Sequence, residues 1–293
     1  MKRVAVIAHN GKSLGGGLPE LRKVLERRGV KDVFWREVPK SRYAAKQLKC
    51  ALDEEAELIF VWGGDGMVQQ CINVAAGTGV PLAILPAGTA NLLATNLGIP
   101  KEIEAAVEIG LAGNLRSIDV GRINGERFAV MAGAGFDAQM ISDADGGLKD
   151  RVGRMAYVLT AAKNIRQKPF VTTIKVDGAT WYKGEASCVL LGNIGKLFGG
   201  VEAFEDASPD DGVLELGVVT AEGVRQWAGT VVRAVAGSAS KSPHVRTTKV
   251  RSVRIKMDRK VPYEIDGGPR EKARKLRVEI EPDAVRLCVP APS

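Results

Sequence analysis

The sequence predicts a two-domain protein, a doubly wound parallel α/β domain followed by a mostly antiparallel, β-rich domain. Three observations predict it. Strand-like and helix-like segments alternate up to about residue 117, which is the grammar of a parallel sheet with helices on both faces. Beyond it the chain turns to short β-rich runs around Asn124-Gly125 and Asp177-Gly178, which are hairpin signals. The 293 residues are long for one domain and comfortable for two of about 150.

Each element has its own warrant. Lys2–Ala8 is a short β-branched strand. Leu18–Arg28 places Leu21, Val24 and Leu25 at helical spacing, with Gly29 ending it. Val33–Val38 is a second strand. Ser41 is placed to cap a helix through Glu55 whose inner face is Ala44, Leu48, Ala51 and Leu52. Ala56–Trp62 (AELIFVW) and Val80–Pro86 are near-continuous apolar runs, as strands covered on both faces require. Helices are expected over Met67–Ala76, Ala90–Leu97 and Ile103–Leu111. In the second domain Ile118–Ile123 and Arg127–Ala132 flank Asn124-Gly125. Further strands are expected over Glu185–Asn193, Gly212–Val219, Val245–Met257 and Leu276–Pro290, with helices over Leu148–Ile165 and Val224–Ala236. The boundary falls near residue 118. No internal repeat or low-complexity linker appears.

Composition narrows the function. Hydrophobic residues make up 45% and charged residues 26%, which excludes a disordered chain. Lys+Arg 42 against Asp+Glu 34 gives +8, which suits an anionic partner: nucleotide, nucleic acid or membrane surface. The four cysteines form no CxxC pair and there are only two histidines, which argues against a disulfide scaffold, a zinc site or a histidine relay. Aromatic residues are 5% and offer no stacking platform, so nucleic acid is not an expected partner. The apolar run Val4–Ala8 is too short for a signal peptide, and no stretch approaches a membrane span. The expectation is a cytoplasmic protein that touches a membrane without crossing it.

Three loops carry the chemistry. Gly63-Gly64-Asp65-Gly66 follows a buried strand and precedes a helix. The glycines permit a tight turn and close approach of a ligand to backbone amides, and the helix start supplies free N–H groups and a positive dipole end. That is a phosphate cradle. A carboxylate inside it makes sense if Mg²⁺ bridges Asp65 and phosphate oxygens; the alternative is a plain turn with an exposed Asp. Pro86-Ala87-Gly88-Thr89-Ala90-Asn91 ends the next strand on the same sheet edge, where open α/β sheets bind ligands. There Thr89 and Asn91 offer a hydroxyl and an amide to a nucleotide, or Thr89 simply caps a helix. Asn10-Gly11-Lys12-Ser13 follows the first strand. It is not a P-loop, because the first glycine of GxxxxGK[ST] would fall at Val6. It is a glycine loop on that edge, whose Lys12 meets a phosphate as a point charge or is merely solvated.

These motifs, with Pro86–Pro100 (PAGTANLLATNLGIP), IDVG at 118–121, GAGFDA at 133–138 and the late Asp266-Gly267, resemble the diacylglycerol kinase catalytic-domain family, which also holds sphingosine kinases, bacterial lipid kinases and, more remotely, NAD kinases. The resemblance runs nearly end to end and is closest in detail to actinobacterial members. It implies a nucleotide-binding domain over 1–118, a β-sandwich-like lipid domain over 119–284, and a last strand over 285–293 returning to the first. It implies ATP and Mg²⁺ as cofactors, a lipid alcohol at the membrane surface as acceptor, and a homodimer. By matching position, Asn10, Gly11, Lys12, Gly63, Gly64, Asp65, Gly66, Met67, Gly88, Thr89 and Asn91 surround the nucleotide. Asp119 joins a water–Mg²⁺ network. Ser208, Asp211 and Val213 hold a structural metal. Asp65 and Asp266 carry catalysis.

The chain also departs from the family pattern. Met67 replaces a hydroxyl residue after GGDG, and Leu92 replaces a frequent Asp. The usual DGE, whose acid is a proposed general base, reads Asp266-Gly267-Gly268, leaving Asp266 as the remaining carboxylate. Two other functions therefore stand beside the lipid kinase: a kinase of a soluble alcohol in the manner of NAD kinase, and a non-catalytic nucleotide- or lipid-binding protein. Arg246, Lys249, Arg251, Arg254, Lys256, Arg259 and Lys260 cluster in sequence but fall on both parities of the expected strand. They are read as solvated charge or as a membrane-facing surface, without one clean face.

Overall fold

The computed structural model describes residues 3–135, 168–196 and 202–291. The helix expected over 148–165 lies outside them, as do residues 136–138 of the GAGFDA segment. The chain forms two compact units, Met1–Asp119 with Asp283–Ser293, and Val120–Pro282.

The first unit runs β1 (Val4–His9), α1 (Gly17–Arg27), β2 (Phe34–Val38), α2 (Ala44–Asp53), β3 (Leu58–Gly63), α3 (Asp65–Ala75), β4 (Leu82–Pro86), α4 (Leu92–Asn96) and α5 (Ile103–Ala112). The strands pair in parallel in the order β2-β1-β3-β4. Leu287, near the end of the chain's last strand, pairs in parallel with Leu82 of β4. Every residue of β3 and β4 is buried, as a strand covered on both faces must be. Packing is close: a Cβ on Gly110 of α5 would collide with the Phe60 ring of β3. The sheet reverses its winding between β1 and β3, the place where doubly wound sheets open a crevice at their carboxyl ends.

Three helix starts differ from expectation in ways that bear on the loops. α3 starts at Asp65, two residues early, with Gly64 as its extended N-cap. α4 starts late, at Leu92, because Asn91 takes a left-handed conformation with φ 50°. Ser41 begins a single 3₁₀ turn and does not cap α2.

The second unit contains most of β5 (Leu115–Ile123), then β6 (Glu126–Phe128), β7 (Met131–Ala134), β8 (Phe170–Val176), β9 (Ala179–Ala186), β10 (Cys188–Gly192), β11 (Leu214–Val219), α6 (Gly223–Val235), β12 (Val245–Val250), β13 (Ser252–Ile265) and most of β14 (Gly268–Cys288). Its two-residue turns have left-handed pairs at Asn124-Gly125, Asp177-Gly178 and Asp266-Gly267, the backbone of type I′ hairpins. The single strand expected over Val245–Met257 is two: β12 pairs with β11, and β13 with β8, β7 and β14. β13 changes neighbours at a register shift between Lys256 and Val261. Before it Val253–Met257 pair with β8, and after it Tyr263–Ile265 pair with β7. One bent strand thereby joins two sets of neighbours within one continuous sheet, and this unit buries Phe128, Phe170, Ile174, Leu216, Val253, Ile255 and Leu276 among others.

Candidate active site

The three loops predicted to carry chemistry lie at the carboxyl ends of β1, β3 and β4. Two of them touch through backbone. A Cβ on Gly88 would collide with Gly64 Cα and sit 2.6 Å from Asn91 Oδ1, and a Cβ on Gly63 would sit 2.5 Å from Met67 Cβ. Gly63 and Gly88 are thus demanded by packing alone. Gly66 is exposed in the first turn of α3, and the N–H groups of such a turn have no intrahelical acceptors.

Asp65 sits in that turn, half-exposed. Its Oδ1 accepts the Leu92 N–H at 2.6 Å, so it serves the start of α4 from across the crevice. Burial pushes its carboxyl above the ordinary aspartate value, against the downward pull of backbone N–H groups of Leu92, Leu93 and Asn91. A partly desolvated carboxylate beside open amides fits a divalent cation shared with phosphate oxygens.

The structure redirects several expected contacts. The Asn91 amide is 3% exposed and turned on its own loop: Nδ2 donates to Pro86 O at 3.0 Å and Gly88 O at 2.7 Å, and Oδ1 accepts the Gly88 N–H at 2.9 Å. It shapes the loop, and the amide has no donor left for a nucleotide. The Met67 side chain is fully buried, so only backbone is available there, and its N–H bonds Gly64 O. Thr89 is exposed and lies three residues before α4, so it does not cap that helix. The first loop is pinned to the same edge: Trp62 Nε1 donates to Lys12 O at 3.2 Å, the Gly11 N–H to His9 Nδ1 at 3.1 Å, and the Asn10 N–H to Val38 O. The Lys12 side chain is exposed.

Asp266 is not a free carboxylate. It is 7% exposed, Oδ2 accepts the Ala129 N–H at 3.0 Å, and Oδ1 accepts those of Val130 and Met131 at 3.0 and 2.9 Å. Asn193, a buried residue that sequence reasoning passed over, donates to Ala129 O at 3.1 Å. Together they clamp the entry to β7. Beside it the gap left by Gly268 is occupied: Arg270 Nη1 donates to Gly268 O at 3.0 Å while its Nε reaches Glu126 Oε2 at 2.9 Å.

Asp119 is 2% exposed, and its Oδ1 accepts the Asp283 N–H at 2.9 Å, a structural bond in the first unit. Asp211, expected to hold a metal with Ser208 and Val213, has Lys249 Nζ 3.2 Å from Oδ2 and the Val213 N–H on Oδ1. Ser208 Oγ turns to Asp210. One ammonium thus faces two carboxylates, since Lys249 Nζ also lies 3.5 Å from Glu215 Oε1, and the expected carbonyl ligands are the backbone of Ser208 and Val213. Among the described residues no three His, Cys, Asp or Glu side chains gather into a metal cluster.

A parallel α/β unit with glycine-lined loops at its switch point, followed by a mostly antiparallel β unit, is an arrangement suited to a phosphate-bearing ligand. Residues 4–123 match the model for the diacylglycerol kinase catalytic domain, and residues 130–289 match the YegS C-terminal NAD kinase beta sandwich-like domain. A Stenotrophomonas maltophilia protein named "Probable lipid kinase YegS-like" is 30% identical, covering 96% of this chain and 94% of its own. A Bacillus subtilis "Diacylglycerol kinase" is 29% identical over 77% of this chain and 74% of its own. A crystal structure of a diacylglycerol kinase from Bacillus anthracis shares the fold with a TM-score of 0.76 at 22% identity, covering 99% of this chain and 97% of that one. The chain belongs to the diacylglycerol kinase and YegS-like lipid kinase family.

Proposed function

We propose that this kinase-family protein transfers the γ-phosphoryl group of ATP to the hydroxyl of a lipid alcohol, with diacylglycerol as the family default. The observation that carries the reading is the backbone contact of Gly64 and Gly88, with Asp65 between the two loops. Phosphates lie along the first turn of α3 and meet its N–H groups. Lys12 adds a point charge from the β1 loop. Asp65 is the residue that would hold Mg²⁺, which would supply charge neutralisation to the transferring group. Glycine at 64 and 88 lets backbone reach the phosphates and leaves no room for water-carrying side chains. Asn91 fixes that spacing through its three loop bonds.

The acceptor hydroxyl must lose a proton. With Asp266 held by three N–H groups and Gly268 covered by Arg270, neither position supplies a free base. Phosphoryl transfer through a loose transition state depends chiefly on positioning and charge neutralisation, and a base adds typically ~10²–10⁴-fold, so the chemistry proceeds at reduced speed without one.

The test is label transfer from γ-labelled ATP with Mg²⁺ into a lipid extract, and separately into NAD. Wild type is run beside Asp65→Asn. A labelled lipid absent from the Asp65→Asn lane upholds the proposal, and chromatography names the acceptor. Label in NAD alone replaces it with a soluble acceptor. ATP binding without transfer to either replaces it with a non-catalytic protein.

A further inference from the structure

The exposed face of the β9-β8-β13-β14 sheet in the second unit carries a cationic array. Along β13 burial alternates strictly from Ser252 to Met257: Val253, Ile255 and Met257 point into the core, and Ser252, Arg254 and Lys256 point out. Arg254 and Lys256 therefore share one face. Register brings cations from distant strands beside them. Arg254 lies directly opposite Lys175 of β8 and Arg277 of β14, and Lys256 lies opposite Lys275 of β14. Lys183 of β9 faces Thr173, which in turn faces Lys256. All six cations are exposed.

Like charges directly opposite one another destabilise a sheet. This face places three in a row, Lys175–Arg254–Arg277. Among the described residues none of the six has an acidic side chain within ion-pair distance. The neighbouring Arg122 is balanced by Glu279 and Glu281. A basin of about 880 Å³ opens among Arg122, Asn124, Ser252, Arg254, Lys275 and Arg277. On the same face of β8, Val171 is 44% exposed, one of the few large apolar side chains turned to solvent.

We infer that this sheet face docks on an anionic lipid bilayer. Charge complementarity supplies the attraction, and each Lys or Arg near such a surface strengthens binding about fivefold. The exposed apolar Val171 suits an interface, as does the half-buried Trp181, two residues from Lys183 on β9. The choice of a bilayer over other polyanions rests in part on the lipid-kinase reading, but the surface itself is independent of the nucleotide loops.

The experiment is co-sedimentation, without ATP, with phosphatidylcholine vesicles containing phosphatidylglycerol, against phosphatidylcholine alone. The face variant is Arg254→Glu/Lys256→Glu. The control is Lys46→Glu/Lys49→Glu, exposed positions on α2 that alter net charge equally. Wild type should bind only the anionic vesicles and release in high salt. The face variant should bind at least about 25-fold more weakly, fivefold for each cation lost. Its melting temperature should not fall, because the new carboxylates stand between cations. The control should bind like wild type. No binding by wild type, equal loss in the control, or preferential binding of single-stranded RNA over vesicles overturns the inference. Phosphotransfer to a detergent-dispersed diacylglycerol is read separately: vesicle binding without it leaves the surface standing and removes the lipid-kinase reading.

Discussion

The turn that joins β3 to α3 and the turn that joins β13 to β14 both place an aspartate immediately before glycine, and they use the carboxylate in opposite ways. At Asp65 the chain goes on into a helix, the carboxylate accepts the Leu92 N–H at 2.6 Å with the Leu93 and Asn91 N–H groups also drawn to it, and it stays half-buried beside the open start of α3. At Asp266 the chain folds back as a hairpin, and the carboxylate is enclosed by three backbone N–H groups. The same dipeptide leaves a carboxylate beside open helix-start amides in one unit and makes a fastening in the other. What decides is the element that follows: a helix start leaves N–H groups for a ligand, whereas a hairpin brings a neighbouring strand close enough to consume the side chain.

Four substitutions break or sharpen this contrast. The largest effect is expected for Asp266→Ala, which leaves three buried N–H groups without acceptors. At roughly 1–3 kcal/mol each, partly relieved by water, the loss should be on the order of 4 kcal/mol, read as a lower urea midpoint. A stable Asp266→Ala protein with selectively lost activity would return the residue to catalysis.

Asp65→Asn should do the reverse. On the proposed function phosphotransfer should fall by at least about 10²-fold, because the carboxylate that would face the cation is gone. Stability should rise at neutral pH. The sign follows from the raised pKa: the folded state holds the proton more tightly than the unfolded chain does, so stability is highest below the unfolded value and is lost as pH rises through the interval to the folded one. The advantage of the variant should therefore shrink as pH drops toward the ordinary aspartate range near about 4. Urea midpoints of both proteins across that range measure it.

Gly88→Ala tests the contact between the loops. Its methyl would overlap Gly64, so the loops must part, at about 1–3 kcal/mol of stability, and the KM for ATP should rise. The smallest effect is expected for Gly268→Glu. Its Cβ would lie 2.9 Å from Arg270 Nη1, so the new carboxylate pairs with that guanidinium. Activity should rise no more than about tenfold, well short of a fully effective base. Adding Arg270→Ala should release the remainder.

Much of the first unit was legible in the chain. AELIFVW announces a strand buried on both faces, and β3 is that strand. The glycine loops were legible because only a few sequences combine a buried strand, three glycines and a helix. Asn91 was not, because an amide in a loop reads equally well as a ligand contact and as a brace, and only the three bonds it makes decide. Asp266-Gly267 forms the same left-handed turn as Asn124-Gly125, but the polar Gly-Pro-Arg-Glu-Lys that follows it hides the second strand of the hairpin. The cationic face was hidden for a different reason. Arg254 and Lys256 are neighbours in sequence, but Lys175, Lys183, Lys275 and Arg277 join them through strand register, which a linear reading cannot supply.

The pairing of Leu287 with Leu82 carries a consequence for synthesis. The Gly77 N–H bonds Ala284 O, and the Val289 N–H bonds Asn114 O. The nucleotide-loop unit thus keeps an open edge along β4 while the ribosome makes the more than 160 residues from Val120 to Pro282. Its sheet is finished only when the final strand emerges. A nascent chain stalled before residue 283 would present that unsealed edge to chaperones and to other chains, and the polypeptide acquires its finished phosphate-facing half last, although it is encoded first.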